Sequence, residues 1–231
     1  MLSLDPARDP YRISLVIDQY ALRARQPQAF LDISSSATFS ADWKSLPNIQ
    51  LSRALAFVQS GQGAKGKQAL YTAVSRYPWV VSRMFQELNL DPPPGVWGKQ
   101  PRTDHEKLFT ELYATRAKDL WNTPEAGSLI VEVSSAVSSE LPEPPVVDVP
   151  IDLDEARHVF LTDTPTLIAL LPRSFTNKIT SSSDPLPPDD NLPSYTPSTR
   201  QQAVRGPQHL GSAAENLREL QGLYGLSLIH I

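Results

Sequence analysis

The sequence predicts an all-α fold: a tetratricopeptide-like helical repeat (α-solenoid) followed by a Pro-rich, largely extended or disordered C-terminal segment. Three observations carry that expectation. Apolar residues recur at three-to-four spacing through most of the first 172 positions, which is the period of a helix with one buried face. Proline, glycine and short polar residues punctuate these segments where helices start and stop. The 22 prolines of the 231 residues crowd into the second half, where core-forming residues thin out.

Asp9-Pro10 reads as a helix start, with Asp as the cap and Pro at the first helical position. Ile13, Val16, Ile17, Tyr20 and Ala24 then give an apolar stripe, with Arg12, Asp18, Gln19 and Arg25 elsewhere on the wheel. Phe30, Leu31 and Ile33 mark a short second helix before a polar break over 34–40. Pro47 to Ser60 is the next helix, with Leu51, Ala54, Leu55 and Val58 on one face. The glycine-rich stretch 61–66 reads as an inter-helix turn. It is not a phosphate loop, because no strand precedes it and the following Lys-Ser/Thr is missing. Lys67 to Tyr77 reads as a helix, stopped by Pro78, and Val81, Met84, Phe85 and Leu88 align on another. Small Ala54, Gly66 and Ala73, large Phe57 and Leu70, and the closing Pro78 fit one degenerate tetratricopeptide unit.

Asp91 to Gly95 (D-P-P-P-G) excludes helix and predicts an extended crossover. Thr103 or Asp104 caps a long helix carrying Leu108, Phe109, Leu112, Tyr113, Ala117, Leu120 and Trp121. Thr123-Pro124-Glu125 starts another, with Leu129, Ile130, Val133, Ala136 and Val137 on its apolar face. A proline-rich connector over 141–150 leads to a helix opened by Asp152 or Asp154. The apolar run Leu167–Leu171 then requires burial. The expected organisation is a helical repeat domain over 1–172, truncated at its N-terminus, an extended Pro/Ser/Asp-rich segment over 173–208, and an isolated helix over 209–225. The last six residues, 226–231 (L-S-L-I-H-I), equal the translation of a transposase adapter used in sequencing libraries. They are expected to be an artefact, with the natural chain continuing differently past Gly225.

Composition narrows the function. A net charge of −4 and the absence of a basic helix argue against direct DNA binding. There is no cysteine, and the four histidines are scattered; Asp154 and His158 share a helical spacing, but two ligands do not make a metal site. No apolar run reaches the length of a membrane span, and no secretory signal opens the chain. No catalytic set, cofactor motif or metal site is expected. Asp184, Asp189 and Asp190 lie in a proline-rich segment that does not hold carboxylates at reactive geometry, and no G-x-S-x-G turn is present.

An ordered set of short motifs then comes into play: S-L-D-P, D-Q-Y-A-L-R-A-R (Asp18 to Arg25), L-P-N (Leu46 to Asn48), V-W-G-K-Q, L-Y-A-T-R, L-W-N-T-P and D-P-L-P-P. Together, over roughly Met1 to Tyr195, they resemble the transcription factor 25 family, which includes the ribosome quality control complex subunit 1. The resemblance implies a non-catalytic helical scaffold, cytosolic and ribosome-associated, with a nuclear pool compatible with the family's transcription-repressor description. Its implied partners are a listerin-type ubiquitin ligase, the large ribosomal subunit, an AAA segregase and the ubiquitinated nascent chain. Full-length members begin with an acidic and lysine-rich region and earlier helical repeats, so Met1 is expected to be internal to a longer protein. The alternative function is a nuclear co-repressor acting through protein contacts. The candidate partner-binding residues are Trp97 and Lys99 in the central loop, and Asp184, Pro185, Leu186, Pro187 and Pro188 in the D-P-L-P-P segment. Trp121, on the apolar face of its helix, is expected to be core.

Overall fold

The computed structural model describes residues 9, 11–37, 41–139, 142–146, 148–162 and 165–177. All of them lie in one compact unit, Met1–Pro188. Their elements are a 3-10 turn, Ile13–Leu15, and the helices α1 (Ile17–Arg23), α2 (Pro27–Ser35), α3 (Ala41–Lys44), α4 (Pro47–Gln59), α5 (Gly63–Arg76), α6 (Pro78–Glu87), α7 (Asp104–Trp121), α8 (Pro124–Ala136), α9 (Leu153–Thr162), α10 (Pro165–Ile168) and α11 (Arg173–Thr176). No strand occurs among the described residues.

The start signals of α7, α8 and α9 are used as the sequence places them. Thr103 accepts the N–H of Glu106 (3.1 Å) at the head of α7, and Thr123 accepts that of Ala126 (3.3 Å) at the head of α8. Asp152 and Glu155 exchange side-chain and backbone bonds, Asp152 Oδ1 accepting from Glu155 N (2.8 Å) and Glu155 Oε2 from Asp152 N (3.0 Å). This reciprocal cap satisfies two donors that the first turn of α9 leaves open.

The helices α4 and α5 form a hairpin, α6 packs on α7, and α1 lies against both α4 and α7. Two cores result. The larger joins α1 through α8, with Phe30, Ile49, Leu51, Leu70, Val80, Phe85, Trp121 and Ile130 inside it. The smaller sets Ile151, Ala156, Val159, Leu167 and Leu171 against Leu15 and the first half of α7, at Leu108, Phe109 and Leu112. The apolar run before Pro172 therefore finds its cover within the chain.

Four local expectations are revised. The helix α5 begins at Gly63, not Lys67. Gly66 is inside it, because a Cβ there would stand 2.7 Å from Val58 Cγ2 and 3.0 Å from Ala54 O. The glycine serves close helix packing rather than the turn. Between the polar break and α4, at positions the sequence left without an element, lies a short helix, α3, with Trp43 buried. The chain at 173–176 makes a helical turn, α11, where an extended segment is expected. The fourth concerns the stretch after Asp9. Its carboxylate accepts from the N–H groups of Ile13 (2.8 Å) and Ser14 (3.0 Å), but it starts a 3-10 turn that breaks at Val16 before α1 begins. The buried face is Leu15, Asp18, Gln19 and Leu22, while Tyr20, expected inside, is 68% exposed. Hydropathy favoured the wrong stripe because it assigns no value to hydrogen-bond partners waiting on α4.

A leucine at position 66 should force α4 and α5 apart. We expect Gly66→Leu to lower unfolding free energy by about 2 kcal/mol, read as a shifted midpoint in urea, with helix content unchanged.

Candidate interaction surface and the polar network beside it

Of the four tryptophans, three are inside: Trp43, Trp79 and Trp121 are 6%, 7% and 0% exposed. Trp97 is 71% exposed. The loop that carries it is built to hold it there. Consecutive prolines at 92–94 remove helix donors and fix the backbone. The carbonyl of Pro93 accepts both the Val96 N–H (3.0 Å) and the Trp97 N–H (2.9 Å). Gly95 packs so tightly on the end of α8 that a Cβ would lie 2.4 Å from Val137 O. Val96 is fully buried as a plug. Gly98, at φ 70°, then turns the chain with a backbone conformation that suits glycine. Alternation along V-W-G thus sends valine inward and the indole outward.

The loop is strapped to the connector that follows α8. Lys99 Nζ lies 2.8 Å from Glu143, holding that carboxyl below its usual range. Arg102 donates to Pro144 O (2.7 Å), pairs with Glu106 (2.9 Å) and sits 4.8 Å over the Trp79 ring. The structure therefore brings Trp97 and Lys99 into one loop, with Lys99 engaged by Glu143. The candidates Asp184, Pro185, Leu186, Pro187 and Pro188 lie outside the described residues.

A buried polar network, missed by the sequence reading, ties α1, α4 and α7 together. Asp18 is 0% exposed. Its carboxylate accepts from Ser52 Oγ (2.6 Å) and Asn48 Nδ2 (3.1 Å). Asn48 Nδ2 also donates to Ser14 O (3.0 Å). Ser52 Oγ lies 3.3 Å from Tyr113 OH, which accepts from Trp121 Nε1 (2.8 Å). The ends fix the direction: an indole N–H only donates and an ionised carboxylate only accepts. The protons therefore run from Trp121 to Tyr113 to Ser52 to Asp18. Burial pushes Asp18 up to about 6, against the opposing hydrogen bonds of Ser52 and Asn48. Burial, with the nearby Asp18 charge, also raises the Tyr113 phenol. The signal was present in the motifs: D-Q-Y, L-P-N, L-Y-A-T-R and L-W-N-T-P each contribute one member, Asp18, Asn48, Tyr113 and Trp121.

Among the described residues, no group of three or more His, Asp or Glu side chains converges as a metal site. No helix among them is long and apolar enough to cross a membrane. The fold and its surface define a class: an all-helical protein that displays a braced aromatic residue. Comparison with known proteins sharpens this. A family model described as transcriptional repressor TCF25 matches residues 1–188, and the chain belongs to that family. It is 28% identical over 185 residues to a fission yeast (Schizosaccharomyces pombe) protein named ribosome quality control complex subunit 1, covering 80% of this chain and 28% of the relative. It is 25% identical over 228 residues to the human protein named ribosome quality control complex subunit TCF25, covering 84% of this chain and 33% of the relative. A mouse protein of the same name matches at the same identity and coverage. The chain spans about a third or less of the length of these relatives. No solved structure matches it significantly.

The Asp18 carboxyl gives a pH signature. Its folded value, about 6, is above the ordinary carboxyl value of 3.8, so the folded state holds the proton more tightly. Its contribution to stability is full below about pH 4 and is lost as pH rises through about 6, a swing of roughly 3 kcal/mol. Urea titrations of wild type and Asp18→Asn across this window should show that the substitution removes this part of the slope.

Proposed function

We propose that this chain is the scaffold part of a ribosome quality control complex subunit, non-catalytic and working by contact. The observation that carries the reading is family membership over residues 1–188, together with relatives named as subunits of that complex. The finer expectations follow the same line. The helices form a segment of a longer solenoid, which stacks repeats into a continuous core and leaves extended faces for partners. The α4–α5 hairpin, closed on Gly66, is the part that favours this arrangement. On the large ribosomal subunit, in the cytosol, the scaffold assists a listerin-type ubiquitin ligase in tagging the stalled nascent chain and helps recruit an AAA segregase.

Trp97 is the proposed anchor for one of these partners, with the D-P-L-P-P segment at Asp184 to Pro188 as a second contact. An indole this exposed, held on a braced loop, loses little conformational freedom on docking. Covering it yields roughly 4 kcal/mol from area alone, before other association costs are subtracted. Buried aromatic anchors of this type dominate interface energetics.

The test is Trp97→Ala in the full-length natural protein, with ligase co-purification and thermal unfolding measured side by side. Binding should fall by about tenfold or more with an unchanged Tm, since the side chain supports little of the core. A matching loss of Tm, or retained binding, would overturn the anchor role. The family description as a transcriptional repressor supplies the second reading. Absence of the full-length protein from the large-subunit fraction under stalling conditions would favour it.

A further inference from the structure

We infer that Ser35, the last residue of α2, is a site of phosphorylation, and that Arg53 on α4 and Lys44 on α3 form the receptor that holds the phosphoryl group. The site lies where these three helices meet and does not depend on the role of Trp97. An unbalanced charge points to it. Half-buried arginines elsewhere on the chain stand against carboxylates: Arg12 on Asp152, Arg83 on Glu87 and Glu111, and Arg102 on Glu106. The buried Arg157 likewise stands on Asp154. Arg53 is half-buried too, but its guanidinium meets two serines instead. Its Nη1 donates to Ser34 Oγ (2.5 Å) and to Ser35 Oγ (3.2 Å), and the group lies 5.6 Å over the Phe57 ring. Burial alone pulls Arg53 below its ordinary pKa, with no carboxylate among the described residues to raise it. A cation partly removed from water without a counter-charge is unfavourable.

A second cation stands beside it. Lys44 Nζ donates to Ser36 O (2.8 Å), one residue past Ser35, and keeps two N–H groups for other acceptors. Among the described residues, Lys44 pairs with no carboxylate either. The flanking acids Asp32 and Asp42 are exposed, and Asp32 receives the Gln28 amide (2.8 Å). The last turn of α2 has caps of its own, since Ser34 Oγ donates to Leu31 O (3.2 Å) and Ser36 Oγ to Ile33 O (2.7 Å). A helix end carries only about half a negative charge, and two full cations exceed it. A phosphate on Ser35 supplies the missing charge and three acceptor oxygens. The Nε–Nη2 edge of Arg53 matches two of them side by side, and Lys44 takes the third.

Of the three consecutive serines at 34–36, accessibility selects the middle one. Ser34 is 1% exposed, and Ser36 Oγ is turned back onto the helix. Ser35 is exposed, and its hydroxyl oxygen takes the long bond from Arg53. The chain leaves α2 at Ser36 with φ −66° and ψ 158°, already extended. A kinase cleft that takes extended chain therefore asks only for fraying of the last turn, where helices fray most readily. In the step itself, Ser35 Oγ attacks the γ-phosphorus of ATP bound to a protein kinase. The bond from that phosphorus to the bridging oxygen breaks, ADP leaves, and the hydroxyl proton passes to the kinase's base. The product joins α2 to α4 and α3 by charge-assisted bonds, where Arg53 now meets only hydroxyls.

The experiment uses the full 231-residue chain with phosphoserine in place of Ser35, introduced by genetic-code expansion, beside the unmodified chain. By phosphorus NMR, the phosphate should titrate about one unit or more below its ordinary second pKa of about 6. Tm should rise by about 2 °C or more. Arg53→Gln should return the titration to the ordinary value and cancel the rise in Tm. Lys44→Gln, which leaves the Arg53 contacts in place, should return part of it. Incubation of the unmodified chain with ATP and a eukaryotic cell extract should place phosphate on Ser35 and not on Ser34, read by peptide mass spectrometry. A titration at or above the ordinary value, a falling Tm, a titration that neither variant moves, or no phosphate at Ser35 would each overturn the proposal.

Discussion

The Asp18 carboxylate, sealed from water and solvated only by the protein, sets the terms for the rest of the fold. A charge removed from water is costly unless hydrogen bonds replace hydration. Here Ser52 and Asn48 supply them from α4, and the donor chain continues through Tyr113 to Trp121 on α7. The arrangement adds little net stability compared with a well-packed apolar core. Its effect is on uniqueness. If α1 slid by one turn against α4, the carboxylate would lose its match to the Ser52 and Asn48 donors. Three helices thereby acquire a shared constraint on register.

The remaining polar contacts between helices are of a lesser kind. Arg83 with Glu111, Lys67 with Glu132, and Arg23 with Asp119 are part-exposed pairs, each worth on the order of 1 kcal/mol or less. Below α7 the smaller core depends on a different device. His158 accepts from Arg116 at Nε2 and so carries its proton on Nδ1, which donates to Tyr11 O (2.8 Å). With the Arg12–Asp152 pair, this fastens α9 to the residues just before the 3-10 turn. Segments some 140 positions apart are joined, and the surface between α1, α7 and α9 takes its shape from that junction.

The starts of α7, α8 and α9 were legible because caps are local chemistry. Thr103, Thr123 and Asp152 each act within three residues, and a pattern reader sees them as directly as the backbone does. The burial of Trp121 followed from its stripe. What was illegible is the identity of the buried face of α1. Leu15, Asp18, Gln19 and Leu22 have the same spacing as the stripe that was chosen, but two of the four are polar. The suitability of Asp18 for the interior depends on Asn48 and Ser52, some thirty residues away, and no periodicity records that. Gly66 misled for a related reason: a glycine needed by a neighbouring helix looks the same in sequence as one needed by a turn. The Trp97 loop was half legible. Its prolines and glycines announced an irregular segment, while only the packing of Gly95 and Val96 shows which residue faces solvent.

The contact of Gly95 with the Val137 carbonyl, and the straps from Lys99 and Arg102 to Glu143 and Pro144, have a bearing on how the protein can be cut. A truncation placed after α8 looks harmless, since every helix before it is intact. It would nonetheless release the far ends of both straps, and the indole some forty residues upstream would then be carried on a hinge instead of a bracket. The shortest piece that presents Trp97 faithfully has to run through the connector to Pro144.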